Sequence, residues 1–355
     1  MAQLTDPIRI GSLALRNRLV MPPMVTFGLG DADGCPNDRV VAHYRRRAQG
    51  GPGLIIVEST CVLPAGRLCV GQLGLWEDRQ IAGHRRVVEA IHAEGVPALV
   101  QLHHGGIMAG DGLGERVSAS GAAYQGRTAR AMTLEEIAGV RDAYVDAARR
   151  AAQAGYDGVE LHGCHAYLLN QFASPRINRR NDAYGGSRDN RLRLMREIFE
   201  RIRAEQPALI VTVRMGGAEP DLDEGVAIAK FYERMGAMAL SVSSGMDPVP
   251  EPPAGYPLGD LVYMASQIRR HVSVPVIAVG GLDTPEKARR VVAEGHGDLA
   301  AAGRALLADP DFARAALTGA PYTPCRRCAS CLFLTDGRRC PAAQSRKEST
   351  HANCT

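Results

Sequence analysis

Eight short apolar runs recur along the chain, and this repetition limits the fold more than any other feature of the sequence. Each run is rich in β-branched or apolar residues and is bounded by Gly, Pro or polar residues. The runs are Arg18–Met24, Gly53–Thr60, Pro97–His103, Gly158–Gly163, Leu209–Met215, Ala239–Gly245, Pro275–Gly281 and Leu299–Ala305. Near-continuous apolar strands are typical of a parallel sheet whose two faces are both covered.

Amphipathic stretches of helical length separate these runs. They include Asp78–Glu94, Thr133–Ala154, Asn190–Glu205, Asp223–Met235 and Thr284–Glu294. Thr133 and Thr284 stand where helix N-caps are expected, and Gly155 and Gly236 stand where helices end. This alternation predicts an α/β fold, a closed (β/α)8 TIM barrel. Because such a barrel takes ~250 residues or more, we divide the 355-residue chain into a barrel over 1–320 and a cysteine-rich tail over 321–355.

The ends of the predicted strands supply the candidate site. In a barrel of this kind, chemistry takes place at the C-terminal ends of the strands. The residues selected from those ends are Pro23, Met24, Val25, Thr26, Ser59, Gln101, His162, His165, Tyr167, Arg214, Gly280, Gly281, Gly303 and Arg304. Parallel strands bring these side chains to one mouth, where a purely structural barrel would not need polar groups.

The last two strand ends each have glycine shortly before a predicted helix. Gly280 and Gly281 follow the seventh strand, and Gly303 with Arg304 follows the eighth. Loops at these two positions of a barrel often bind a phosphate group through backbone N–H groups at a helix N-terminus. A plain turn explains either glycine site alone, but the two sites on consecutive strands favour phosphate.

Arg214 ends an otherwise apolar strand, VTVRM. Burying an arginine without an anion costs free energy. A salt bridge to Glu160 or Glu219 is one explanation for this arginine. Stabilisation of negative charge on a reduced cofactor ring is the other.

His162, His165 and Tyr167 follow the fourth strand. A spacing of three places both imidazoles on one side of a helical turn. The pair could bind a metal ion, but no third ligand is evident nearby. A histidine pair that polarises a carbonyl oxygen, with a tyrosine as proton donor, suits general acid catalysis. A structural role for all three residues is the remaining explanation.

Four cysteines crowd together near the C-terminus in the pattern C-x2-C-x2-C-x8-C-P. They are Cys325, Cys328, Cys331 and Cys340. In a chain that starts without an export signal, such a cluster favours a metal site over a disulfide framework. Three close cysteines and a distal Cys-Pro resemble iron–sulfur ligands more than zinc ligands, which usually come as two separated pairs. We predict a [4Fe–4S] cluster, with structural zinc and unligated or disulfide-bonded thiols as alternatives.

The composition argues against two other kinds of partner. The net charge of +4 is spread along the chain and aromatic residues make up only 5%, so we expect no nucleic-acid partner. No apolar run approaches the ~20 residues of a membrane span, and the N-terminus lacks the layout of a secretion signal. We therefore expect a cytoplasmic protein that does not bind membranes.

Together these residues resemble the Old Yellow Enzyme family of FMN oxidoreductases. The resemblance covers residues 4–318, and its motifs are DPIRIGSLALRNRLVMPPM, QLHHGG, HGCHAYLLNQFASPRINRRNDAYGGSRDNR, VRMG, VGGL and AGRALLADP, in the family's order. The position of the cysteines resembles that in an iron–sulfur subgroup that includes dienoyl-CoA reductases and amine dehydrogenases, although their spacing is usually longer.

The resemblance implies FMN as cofactor and a role for each candidate residue. Met24, Val25 and Thr26 would line the flavin, Gln101 would contact its pyrimidine edge, and Arg214 would lie near its N1 and O2 atoms. Gly281, Gly303 and Arg304 would hold its phosphate. Pro23, Ser59 and Gly280 would be further cofactor-binding residues. His162 and His165 would hold a substrate oxygen, and Tyr167 would donate a proton. Many relatives have Thr or Cys where Val25 stands, so this position departs from the family pattern.

These roles imply an ene-reductase, in which hydride passes from reduced FMN to the activated C=C bond of an α,β-unsaturated carbonyl compound, with NAD(P)H as reductant. The alternative is an amine or C–C dehydrogenase that passes electrons through the cluster to a partner protein. A redox carrier without a substrate is a third interpretation. The expected partners are a small-molecule substrate, a protein electron donor or acceptor, and further copies of the chain in a homo-oligomer.

Overall fold

The structure, a computed structural model, describes residues 1–26 and 29–345, so residues 346–355 of the predicted tail lie outside the described residues. The strands are β1 (Ile8–Ile10), β2 (Leu13–Leu15), β3 (Leu19–Met21), β4 (Leu54–Cys61), β5 (Ala98–His103), β6 (Val117–Ser118), β7 (Ala122–Tyr124), β8 (Arg127–Ala131), β9 (Gly158–Gly163), β10 (Ile210–Gly216), β11 (Leu240–Ser243), β12 (Val276–Val279) and β13 (Leu299–Ala301). The α-helices are α1 (Asp38–Ala48), α2 (Ile81–His92), α3 (Leu134–Ala154), α4 (Leu168–Ala173), α5 (Arg188–Arg191), α6 (Arg193–Glu205), α7 (Leu222–Met235), α8 (Asp260–Arg269), α9 (Pro285–Ala293), α10 (Arg304–Ala308), α11 (Phe312–Thr318) and α12 (Leu332–Thr335).

Eight of the described strands close into a parallel barrel. They follow one another in the order β3, β4, β5, β9, β10, β11, β12, β13, and β13 pairs with β3 to close the ring. Each strand corresponds to one of the eight apolar runs, so the predicted TIM barrel is confirmed. The first strand is shorter than its run because Pro22 and Pro23 have no N–H to donate to a neighbouring strand.

The helix ends follow the capping residues in the sequence. At the start of α3 the Thr133 hydroxyl accepts a hydrogen bond from the Glu136 N–H at 3.1 Å, and the Glu136 carboxylate accepts one from the Thr133 N–H at 2.8 Å. The helix ends at Gly155, whose φ of +96° favours glycine. No helix in the described part of the chain is both long enough and apolar enough to cross a bilayer.

A hairpin of β1 and β2 fills one end of the barrel. Ile10 and Leu15 are buried and pack with Leu54, Leu99 and Ile210, which lie near the starts of their strands. This end is therefore occupied by apolar side chains. The opposite end, where the strands finish, is the one that is open to a ligand.

The long connection between β5 and α3 forms a small sheet beside this open mouth. We call residues 104–132 the cap segment. Within it, β8 pairs in parallel with β6 and antiparallel with β7. Met108 and Tyr124 of the cap segment pack against Ala166 and Met246, which lie in the loops after β9 and β11.

The described part of the tail packs against α10 and α1. Cys340 packs with Ala308 of α10, and the Arg47 guanidinium of α1 lies 5.3 Å from the centre of the Phe333 ring. The tail is therefore attached beside the mouth and does not extend away from the barrel.

Candidate active site

Two adjoining cavities occupy the mouth of the barrel. The glycine cavity, of about 570 Å³, is lined among others by Gly280, Gly281, Gly303 and Arg304. The histidine cavity, of about 660 Å³, is lined among others by Val25, Ser59, Gln101, His162, His165 and Tyr167. Pro23, Met24, Arg214 and Arg304 line both cavities. One elongated ligand can therefore occupy both cavities.

The glycines of the glycine cavity are required by its shape. A Cβ atom at Gly303 would lie 2.9 Å from Sδ of Met24, and one at Gly280 would lie 2.8 Å from Cβ of Leu261. Gly280 and Gly281 also have φ angles of +115° and +65°, which L side chains rarely adopt. These positions leave the backbone uncovered beside the exposed Arg304 side chain. This combination fits the phosphate group of FMN.

Arg214 lies between the two cavities and is only 7% exposed. One terminal nitrogen donates a long hydrogen bond to Oγ of Ser243 at 3.5 Å, and its buried Nε has no partner among the described residues. Neither Glu160 nor Glu219 forms an ion pair with it in the described part of the chain, and one carboxylate oxygen of each has no hydrogen-bond partner there. The salt-bridge explanation therefore fails, and the unmatched cation suits the electron-rich edge of a flavin.

Gln101, which lines the histidine cavity, forms a buried pair with Glu160. The Gln101 amide donates to Oε1 of Glu160 at 2.7 Å. Burial raises the pKa of the Glu160 carboxyl to about 7, while the Arg214 charge and the Gln101 bond act in the opposite direction. The bond fixes the Gln101 side chain beside the position predicted for the flavin.

The two histidines face each other. Nε2 of His162 lies 3.2 Å from Nδ1 of His165, and Nε2 of His165 lies 2.7 Å from Oγ of Ser243. Burial lowers the pKa of His165 to about 3, and burial with the neighbouring His165 lowers the pKa of His162 well below its usual value. Both rings are therefore neutral near pH 7, and each has one N–H to donate.

Tyr167 stands beside this pair. Its ring contacts His103 edge-on at 4.4 Å between centroids and His162 at 4.8 Å. Burial raises the pKa of the Tyr167 hydroxyl to about 12. The phenol therefore keeps its proton near pH 7 and can donate it to a stronger base.

Thr26 is the predicted flavin-lining residue that the structure keeps apart from the others. Its hydroxyl donates to Oε2 of the buried Glu58 at 2.7 Å, and its N–H reaches the same atom at 3.2 Å. Val25 lines the histidine cavity instead. The family's polar position is thus occupied here by an apolar side chain, and Thr26 does not replace it.

The four tail cysteines line a third cavity, of about 340 Å³, which we call the cysteine cavity. Its walls are Arg304, Leu307, Ala308, Cys325, Arg326, Cys328, Cys331, Leu332, Phe333, Cys340 and Pro341. All cysteines within the described ranges are free thiols. The donor set fits a thiolate-ligated metal group.

The spacing of the tail sulfurs can be compared with that of a zinc site. Zinc–sulfur bonds of ~2.3 Å place tetrahedral thiolates ~3.8 Å apart. Among the described residues, the group that brings three ligand atoms within 4.8 Å of one another is His162, Cys164 and His165, and the tail cysteines form no such group. As they lie in this structure, the tail thiols are therefore farther apart than three thiolates bound to one zinc ion.

Sequence reasoning missed Leu307 and Leu334, which line the histidine cavity from α10 and from the tail. Nothing in the sequence distinguishes these leucines from core leucines. Sequence reasoning also missed Cys164 as a candidate metal ligand, although its position between the two histidines in HGCH indicated one.

Comparison with known proteins agrees with this geometry. Residues 3–322 match the model of the NADH:flavin oxidoreductase / NADH oxidase family. An NADH oxidase from Thermoanaerobacter brockii is 40% identical over 338 residues, which are 91% of this chain and 52% of that protein. An NADPH dehydrogenase from Halalkalibacterium halodurans is 38% identical over 313 residues, covering 86% of this chain and 91% of the relative.

A solved structure is similar over nearly the same length. A 2-naphthoyl-CoA reductase in complex with 2-naphthoyl-CoA superposes with a TM-score of 0.85 and 28% identity over 93% of this chain and 54% of the other. The chain thus spans about half the length of this reductase and of the NADH oxidase, and nearly all of the NADPH dehydrogenase. These matches confirm the resemblance to Old Yellow Enzyme: the chain belongs to the NADH:flavin oxidoreductase / NADH oxidase family, whose members are FMN-dependent oxidoreductases.

Proposed function

We propose that this protein is an ene-reductase that reduces the activated C=C bond of α,β-unsaturated carbonyl compounds. The observation that carries the proposal is the arrangement of His162, His165 and Tyr167 around one cavity that continues into the glycine cavity. FMN, when bound, supplies the hydride. The remaining steps are performed by side chains of this chain.

The two histidines hold the carbonyl oxygen of the substrate. Two neutral imidazoles whose facing nitrogens are 3.2 Å apart can turn their N–H groups toward one oxygen atom. Hydrogen bonds to that oxygen stabilise the negative charge that develops as the C=C bond is reduced. Because both rings are neutral, no imidazolium competes with Tyr167 as the acid.

Tyr167 donates the proton to the carbon that does not receive hydride. A phenol with a pKa of about 12 is a weak acid in water, but a carbanion-like carbon is a much stronger base. Val25 and Leu68 give the same cavity apolar walls, which limit the access of water to this carbon. The proton therefore comes from a fixed side chain.

Replacing Tyr167 by Phe tests this assignment. We expect reoxidation of the reduced enzyme by 2-cyclohexenone to slow by about 10²- to 10⁴-fold, the usual contribution of a general acid. Reduction of the enzyme by NADPH should be unchanged, because it does not need the tyrosine proton. Tyr184→Phe, whose hydroxyl contacts Glu197 instead, is the matched control. Equal reoxidation rates in the wild type and Tyr167→Phe would exclude the assignment and favour a redox carrier.

A specific observation favours a second candidate function, an oxidative dehydrogenase that passes electrons to a partner protein. Arg304 and Leu307 of α10 line both the cysteine cavity and the histidine cavity. A metal group held by the four cysteines would therefore lie next to the flavin, with a single helical turn between them. Such a group exchanges electrons one at a time, which suits a protein donor or acceptor.

Metal analysis tests this second candidate. We expect about four irons per chain in protein purified without oxygen, as a [4Fe–4S] cluster requires. Stoichiometric zinc without iron would remove the electron path and leave the tail with a structural role.

A further inference from the structure

His162, Cys164 and His165 form a compact group of metal-ligand atoms, and its two histidines line the histidine cavity. One ligand atom from each lies within 4.8 Å of the other two. In the sequence, His162 and His165 provide two candidate ligands. In the structure, Cys164 provides a third.

The geometry of the histidine pair is close to that of a zinc site. Zinc–nitrogen bonds of ~2.0–2.1 Å at tetrahedral angles place two nitrogens ~3.4 Å apart. Nε2 of His162 and Nδ1 of His165 are 3.2 Å apart. The separation in this structure is therefore close to that of two nitrogen ligands on a single zinc ion.

The surroundings of the pair also match a metal site. Histidine ligands usually hydrogen-bond through their second ring nitrogen to an outer partner, which fixes the ring. His165 does so with Oγ of Ser243 at 2.7 Å. His162 is 3% exposed, and its Nδ1 has no hydrogen-bond partner in the described part of the chain, so this ring holds a buried polar atom that nothing yet satisfies.

Cys164 has no part in the proposed reduction. Its side chain is fully buried, and its thiol is not part of a disulfide. A thiophilic cation displaces the thiol proton, and the resulting thiolate balances one of the two positive charges.

We propose that His162, Cys164 and His165 bind a thiophilic divalent cation of the Zn²⁺ type, which inhibits the enzyme reversibly. On binding, the cation exchanges coordinated water for two imidazole nitrogens and one thiolate, and the thiol proton passes to solvent. No electrons are transferred. The cation occupies the position proposed for the substrate oxygen; this competition rests on the proposed function, whereas cation binding itself does not.

The inhibition test compares the wild type with Cys164→Ala. FMN-loaded protein with an occupied tail is titrated with ZnCl2 while 2-cyclohexenone reduction is followed. We expect inhibition that is competitive with the enone, and an inhibition constant at least tenfold higher in Cys164→Ala, with turnover in the absence of zinc unchanged. Cys61→Ala, which removes another buried thiol, should behave like the wild type. Equal inhibition of the wild type and Cys164→Ala would overturn the proposal.

Co²⁺ provides a second measurement that does not depend on turnover. Tetrahedral cobalt with a thiolate ligand absorbs at wavelengths beyond the flavin bands, and we expect this absorption in the wild type but not in Cys164→Ala. A cobalt spectrum that does not change with Cys164→Ala would contradict the site. A Cys164-dependent spectrum combined with non-competitive inhibition would support the site and contradict the proposed role of the histidines toward substrate.

Discussion

Arg214 is a buried cation that the described residues around it do not neutralise. Its charge lowers the pKa of the Glu160 carboxyl and that of the His162 imidazole, but neither group forms an ion pair with it in the part of the chain that the structure describes. An uncompensated buried charge destabilises the protein until an anion or an electron-rich group binds it. Arg214 therefore costs the apoprotein stability, and we propose that it stabilises the flavin-bound form.

Replacing Arg214 by Met should separate these two effects. We expect FMN to bind about 10- to 100-fold more weakly, since hydrogen bonds from a charged donor contribute about 1.5–3 kcal/mol. The apoprotein should be at least as stable as the wild type, because the substitution removes a buried charge. Titration of apoprotein with FMN by fluorescence, together with thermal unfolding of the apoprotein, measures both quantities. Unchanged FMN affinity would show that Arg214 does not touch the cofactor.

His84 gives the fold a pH dependence that can be measured in isolation. Its Nδ1 lies 2.9 Å from the Tyr156 hydroxyl and its Nε2 lies 3.1 Å from the Gly74 carbonyl. These contacts satisfy a neutral ring, and burial lowers the pKa to about 4. A histidine whose folded pKa is below its unfolded value of about 6.5 binds its proton more tightly when unfolded. Its stabilising contribution is therefore complete above pH 6.5 and is lost as the pH falls toward 4.

We expect the wild type to lose about 2 kcal/mol more free energy of unfolding than His84→Gln between pH 7.5 and pH 5. Gln can accept from Tyr156 and donate to Gly74 but does not titrate. Buried carboxyl groups such as Glu58 cancel in this comparison because both proteins contain them. Urea unfolding at the two pH values gives the difference, and parallel pH profiles would contradict the lowered pKa.

The loops after β9 and β11 are connected by a buried hydrogen-bond network. Asn170 of α4 accepts from the Ala166 N–H at 2.9 Å and donates to Oε1 of Glu219 at 2.8 Å, and the same oxygen accepts from the Met246 N–H at 2.6 Å. His165 and Ala166 both have positive φ angles, +59° and +60°, which is unfavourable for residues with a side chain. The network holds this backbone and so fixes the histidine pair.

Glu219→Ala should disturb both loops, whereas Glu219→Gln should retain the accepting oxygen. We expect Glu219→Ala to lose about 3 kcal/mol of stability and to bind 4-hydroxybenzaldehyde at least tenfold more weakly, with Glu219→Gln close to the wild type. Thermal unfolding and the change in flavin absorbance on ligand titration measure these effects. An Ala variant that is destabilised but binds the ligand normally would limit the network to a structural role.

The network also illustrates how far the sequence alone could lead. The barrel was predictable because each of its strands is a local apolar run between turn residues, and the Thr133 cap and the Gly155 stop are local signals too. Contacts between distant elements could not be predicted in this way. Asn170 and Glu219, for example, are 49 positions apart in the sequence. Leu334 lines the mouth only because the tail folds back onto the barrel. The Thr26 side chain points away from the predicted flavin position because Glu58, on β4, provides a buried hydrogen-bond acceptor.

The tail brings the cysteine cavity next to the flavin side of the barrel. The wall between the cysteine and histidine cavities is α10, and Leu334 of the tail lines the histidine cavity directly. The ion pair between Arg327 and Asp283, a residue of the glycine cavity, attaches the tail at a second point. We therefore propose two routes for electrons to the mouth, from a nicotinamide bound above the flavin or from a metal group held by the cysteines behind α10.

Selective loss of one route would show which of them the enzyme uses. We expect NADPH or NADH to reduce the flavin rapidly under anaerobic stopped-flow conditions. Either nicotinamide can reach the flavin through the open mouth of the barrel, without the tail cysteines. Cys328→Ser should leave this reaction unchanged but slow reduction by a ferredoxin-type one-electron donor at least tenfold, because it removes one ligand of the metal group. Cys69→Ser, which alters a thiol outside the tail, controls for general effects. If neither nicotinamide reduces the flavin while the one-electron donor does, electrons enter through the tail, and the oxidative dehydrogenase becomes the better assignment.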